Sequence, residues 1–330
     1  MAVALARSMQ KALVTIGKSV ATTARGAGEG AAAANTPPRA RKTAAFHIAL
    51  GRCAEATDRL VEMLQPRSAD REAFAALRRA GVAVAALQVT YRYSGIDDDD
   101  LDEAFRKLVA TYNILRRNYG RDLVMARNEA ESALNPAQRT AFDALKNRGA
   151  DLARKLATFT LQIKGNPALN FECVALSREL ARIETTRRDR AGLLDTLTTG
   201  EIALGRWHGS KLYVERVFPD EAKKLDAVDG AFQAFEAALA AASGTAYPED
   251  ATQVFAQPAE YSEDIGVAGV TDEELPRLLD TLRERSRAFS DLSQEAAAAN
   301  AEAQTALAAD GQVNTDDPDD DTSLDASDEE

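Results

Sequence analysis

Apolar residues recur in steps of three and four along nearly the whole chain, and this spacing restricts the fold more than any other feature. A helix turns every 3.6 residues, so such a pattern lines apolar side chains along one face, whereas a half-buried strand needs strict alternation. From Phe46 a stripe passes through Leu50, Cys53, Thr57, Leu60 and Leu64 and stops at Pro66. A second runs through Phe74, Leu77, Val84, Leu87 and Tyr91, with Ser68 as its expected cap and Ser94-Gly95 closing it. A third, from Leu101 through Phe105, Leu108, Tyr112, Leu115, Tyr119, Leu123, Ala126 and Ala130 to Leu134, would form a helix about 55 Å long.

Asn135-Pro136 breaks that stripe, and the next runs from Phe142 to Ile163 before Gly165-Asn166-Pro167 forces another turn. Leu169, Cys173, Leu176, Leu180, Ile183, Leu194 and Leu197 then read as one helix, with Arg187 and Arg190 in its apolar register. Thr199-Gly200 and Pro219 delimit a shorter, less regular segment around Trp207, and regular spacing returns from Leu225 to Ala242. Thr271 followed by Glu274 is a capping box for a last helix through Leu275, Leu278 and Leu282, with Pro276 awkwardly placed in its first turn.

These features predict an all-α protein, an elongated antiparallel helical bundle with long heptad-striped helices and loosely attached terminal arms. The expected divisions are a basic amphipathic helix and Gly/Ala/Pro linker over 1–45, the main bundle over 46–243, an irregular connector over 244–270, a C-terminal helix over 271–309 and a disordered acidic tail over 310–330. No fixed-length repeat indicates a solenoid. The longest run free of polar side chains, Ala80 to Leu87, has eight residues, against the ~20 of a membrane-spanning helix.

Charge divides as unevenly as hydrophobicity. Residues 1–45 carry seven bases against the single acid Glu29, residues 310–330 carry ten acids and no base, and the whole chain has a formal charge of -12. An acidic body disfavours broad nucleic-acid binding. Arg7 and Lys11 interrupt the first apolar residues, unlike a secretory signal, and a cytoplasmic location is expected; the Ala-, Ser- and Thr-rich start would also suit an organelle presequence in a eukaryote.

Residues for chemistry are scarce. The two cysteines, Cys53 and Cys173, lie on apolar stripes and read as buried thiols. Of the two histidines, His47 reads as a structural helix histidine. His208 sits in Gly205-Arg206-Trp207-His208-Gly209-Ser210-Lys211, where Trp207 reads as a plug at a helix junction and alternatively as part of a small-molecule site. Asp97 to Asp100 lack the spacing of an EF-hand loop and suit a helix start. There is no phosphate loop, zinc-ligand spacing or nucleophile elbow, so neither cofactor nor metal is expected. Arg187 and Arg190 imply a polar layer or an anion contact.

Leu5, Met9, Leu13, Ile16 and Val20 share one helical face with Arg7, Lys11 and Lys18 elsewhere. Such a helix suits packing on its own bundle, an anionic membrane surface, or a partner's groove. The acidic tail could mask the basic arm or the stretch from Arg178 to Arg190. The expectation is a non-enzymatic scaffolding protein that self-assembles or binds a protein partner. The alternative is a peripheral membrane-remodelling protein acting through residues 1–24, with an enzyme of unknown type third.

Overall fold

The computed structural model describes residues 2–25, 38–64, 70–120, 133–159, 167–246, 271, 273–284, 287, 288 and 291. Pro66, Ser68, the stripe residues Leu123, Ala126 and Ala130, the connector from residue 247 to 270 and the acidic tail lie outside these residues. Helix dominates, and no strand occurs among the described residues. The elements are α1 (Ala2–Arg25), α2 (Pro38–Met63), α3 (Asp70–Ser94), α4 (Asp99–Leu115), α5 (Pro136–Thr158), α6 (Pro167–Glu184), α7 (Arg190–Val217), a short α8 (Pro219–Ala222), α9 (Asp226–Ala246) and α10 (residues 274–284).

Local chemistry sets the ends. Asp98 caps α4 by accepting the Asp100 and Leu101 N–H groups at 3.0 and 3.1 Å, and Asp99, Asp100 and Asp102 lie in the first turn where the helix dipole favours acids. Asn135 and Gln138 make a reciprocal capping box at α5, with Pro136 at the first turn. The Thr271–Glu274 box forms as read: Thr271 Oγ1 accepts the Glu274 N–H at 3.3 Å, and Glu274 Oε2 accepts the Thr271 N–H at 3.2 Å. Pro276 lies just past the box, after the Leu275 N–H has bonded the Thr271 carbonyl at 3.1 Å, and the helix continues through it to residue 284.

Three expectations are corrected. The third stripe does not continue as a regular α-helix: α4 passes at Arg116 into a π-helical stretch, Arg116–Gly120. The stripe through Cys173 and Leu197 is two helices, separated at Thr185–Asp189. The cause is a new cap, with Asp189 Oδ1 accepting the Gly192 N–H at 2.7 Å, and a tight return in which a Cβ on Gly192 would lie 1.9 Å from the Arg187 carbonyl oxygen. Conversely, the segment around Trp207 is the regular interior of α7, because its glycines serve packing instead of breaking the helix.

One hydrophobic core includes residues of α1 through α7, α9 and α10. The most extensive packing joins α2 to α3, α3 to α7, α5 to α6, α1 to α4 and α5 to α9. Over Arg71–Ser94, α3 is long and apolar enough to cross a bilayer, and 61% of its apolar window is buried inside the molecule, as in a core helix. The α1 helix is not a loose arm. Within residues 2–19 only Ala4, Arg7 and Lys18 are exposed, and Leu5, Met9, Leu13 and Ile16 are buried. The C-terminal α10 joins the same core through Leu275, Leu279 and Leu282, while Arg283 pairs with Asp58 of α2.

Candidate functional site

A grouping of buried ionisable side chains lies along α7, where three glycines let neighbouring helices approach closely. A Cβ on Gly205 would lie 2.4 Å from the Val82 carbonyl oxygen, and one on Gly209 would lie 2.5 Å from that of Ala86. On the opposite side, a Cβ on Gly200 would meet Leu239 at 2.7 Å. With α3 held this near, charged residues in the apolar register of α7 must find partners inside the protein.

Arg78 of α3 and Glu201 of α7 form the innermost pair, 2.8 Å apart with side chains 10% and 6% exposed. Burial pushes the Glu201 carboxyl up to about 7, against the attraction of Arg78 and Arg116. Tyr112 of α4 completes the layer, its hydroxyl donating to the Leu77 carbonyl at 3.4 Å and occupying the space that a side chain on Gly81 would need. Desolvation, reinforced by Glu201, raises the Tyr112 phenol well above its ordinary range.

About one turn along α7, Arg206 donates to Glu172 at 2.5 Å and to Glu179 at 2.8 Å, bridging two acids seven residues apart on α6. Arg92 of α3 donates to the other Glu172 oxygen at 2.5 Å. Glu172 is 1% exposed, and two guanidinium groups compensate its buried charge. The network therefore ties α3, α6 and α7 together through charge-assisted hydrogen bonds.

Trp207 is 2% exposed and stacks on Phe232 of α9, with centroids 4.1 Å apart and planes 5° from parallel. His208, on the next turn position, is half-buried and lies 3.8 Å from Glu236. Desolvation lowers its pKa, Glu236 opposes that shift, and Arg52 and Lys211 add to it. Lys211 donates to Asp229 at 2.8 Å, a bond that raises its pKa. Trp207 and His208 thus stand at the contact between α7 and α9.

The other expected residues fall elsewhere. Arg187 lies in the link before α7, 87% exposed at its side chain and paired with Asp189 at 2.9 Å, while Arg190 is the first residue of α7 and half-buried. Neither occupies a layer inside a continuous helix, because that helix is interrupted. Leu5, Met9, Leu13 and Ile16 face the protein's own core, which removes them from a membrane or partner in this conformation; Arg7 and Lys18 are exposed and Lys11 is half-buried. Burial raises the Cys53 thiol to about 12 and the Cys173 thiol to about 11, so both are protonated at neutral pH. Among the described residues, no three His, Cys, Asp or Glu side chains converge as metal ligands would.

Sequence reasoning missed Arg78, Glu201, Glu172 and Arg92, and named Arg206 only as part of the segment around Trp207. The signal was present for two of them: Arg78 follows Phe74 by four, and Glu201 lies between Leu197 and Leu204 in the apolar register. A second feature is a cleft of about 380 Å³ between α5 and α9, with Arg148, Arg154 and Lys155 beside a floor of Leu152, Gly230, Ala231 and Ala234. No protein family, curated protein or solved structure matches this chain, so the reading of its sites rests on their own chemistry.

Proposed function

We propose that this protein is a non-enzymatic scaffolding component, an elongated helical bundle that self-assembles or holds a protein partner, with a cytoplasmic location. The observation that carries the reading is the use of the interior charges. Arg78–Glu201 and the Arg92–Glu172–Arg206–Glu179 chain join helices to one another, and their hydrogen-bonding groups point at other side chains of the same protein. Groups so engaged fix helix register, whereas a general acid or nucleophile needs an approach for substrate. The burial of α1 also supports a structural part for residues 2–19 over a membrane-inserting one, since its apolar face would first have to leave the core.

Solution mass across micromolar concentrations tests the reading, with a dimer or larger assembly as the expected result. A monomer at every concentration would refute self-assembly. Co-sedimentation of the full chain with anionic phosphatidylserine vesicles tests the alternative. The protein stays in the supernatant if α1 belongs to the core, and pelleting abolished by Leu13→Asp would favour the membrane reading.

A further inference from the structure

The cleft between α5 and α9 combines cations with a floor of very small side chains. Arg148 and Lys155 are seven residues apart on α5, so they stand about 10.5 Å apart on one helix face. Both are exposed, and neither side chain makes a hydrogen bond or ion pair among the described residues. Arg154 is bound to Asp151 at 2.5 Å, the one acid lining the cleft. The nearest acids on α9, Asp229 and Glu236, face Lys211 and His208 of α7. The cleft is therefore a local excess of positive charge on a protein of formal charge -12.

The floor continues along α9. A Cβ on Gly230 would meet nothing within 4 Å, and beyond Ala234 the exposed residues Ala237, Ala240, Ala241 and Gly244 carry no charge. Such a surface admits another helix, most closely where that helix also presents small side chains.

The chain contains a segment of that chemistry. From Ala288 to Glu330 there are thirteen acids and no base. Residues 293–310 within it carry seven alanines between Glu295 and Leu307, a composition favouring helix. Glu295 and Glu302 are seven residues apart, and in helical form they would repeat the 10.5 Å spacing of Arg148 and Lys155. The geometry points to this cleft as the docking surface for residues 293–310 of the same chain, with Glu295 and Glu302 against Arg148 and Lys155.

The segment begins near enough. Arg283 is fixed to Asp58 of α2, and α2 carries Arg52, which acts electrostatically on His208, itself 3.8 Å from Glu236 of α9. Glu295 follows Arg283 by twelve residues, a reach of about 18 Å as helix and at most about 40 Å extended, against helix-to-helix steps of about 10 Å. Tethering favours the chain's own segment over a second copy, because a short linker supplies an effective concentration of about millimolar.

Cysteine crosslinking in the full chain tests the assignment. Gly230→Cys with Ala299→Cys should form an intramolecular disulfide about tenfold faster than the exposed control pair Lys107→Cys with Ala299→Cys. Adding Arg148→Glu and Lys155→Glu should slow the reaction about tenfold, and adding Glu295→Lys and Glu302→Lys as well should restore it. The cleft cations are exposed and free of internal contacts, so their reversal leaves the fold intact. A disulfide formed only between chains, a rate equal to the control's, or indifference to charge reversal would each overturn the proposal. A monomeric protein that still shows the charge-dependent internal crosslink would refute self-assembly while leaving this docking in place.

Discussion

A carboxylate as enclosed as Glu201 makes its surroundings sensitive to pH, and the sign follows from burial. Its pKa rises from 4.5 to about 7 on folding, so the native state holds a proton that the unfolded chain releases earlier. The resulting stability is fully present below about pH 4.5 and is lost as pH rises through about 7. Urea unfolding at pH 5 and pH 8 should therefore show a larger fall in stability for the wild type than for Glu201→Gln, which cannot titrate. Equal falls would mean that Glu201 keeps its ordinary pKa. Glu201→Leu should be far more damaging, since it leaves the Arg78 guanidinium buried without its carboxylate, a loss of about 3–5 kcal/mol. The double variant Arg78→Met with Glu201→Leu should recover most of that loss in a denaturation cycle, and additive losses would deny the pairing. Arg78 and Glu201 were legible only in part from the sequence. Each stood in an apolar register, but periodicity shows that a charge faces inward without showing which helix supplies its partner.

At the scale of the element, α7 shows why a glycine in a helical pattern is ambiguous before the neighbours are known. Gly200 reads as a boundary along the chain and Gly205 and Gly209 as part of a less regular segment, yet all three lie inside Arg190–Val217, where α3 and α9 approach. Stability measurements should separate the two kinds of glycine by sign. Gly205→Ala should destabilise by about 1–3 kcal/mol, because its methyl group meets the Val82 carbonyl and the Ala85 side chain. Gly230→Ala lies in open space in a helix and should stabilise by about 0.5–1 kcal/mol. If Gly205→Ala were also stabilising, the close crossing of α3 and α7 would be wrong. The break before α7 was illegible for a related reason: Asp189 and Gly192 end one helix and start another through a local hydrogen bond, while Ile183 and Leu194 on either side keep apolar character. The Thr271–Glu274 cap was readable because its chemistry is confined to four residues, and the Asn135–Gln138 box, read only as a break at Asn135-Pro136, carries a signature of the same length.

The whole molecule turns on whether its ends belong to its core. The amphipathic pattern of residues 2–25 has the same form whether its apolar face meets lipid, a partner or its own chain, so sequence left that choice open, and in the structure the face is buried with α2 and α4. A single core implies a single cooperative transition, and the chain carries one tryptophan, Trp207, buried on α7 against Phe232 of α9. Leu13 of α1 is fully buried, so Leu13→Ala should cost about 2–5 kcal/mol. Followed in denaturant, the Trp207 fluorescence midpoint and the far-ultraviolet circular dichroism midpoint should fall together by the same amount. An α1 that folded as a separate arm would give a different result, with an early loss of helical signal and an unmoved tryptophan transition. The comparison also bears on the proposed scaffold, because α1 can release its apolar face to a membrane only by giving up contacts that stabilise the fold around Trp207.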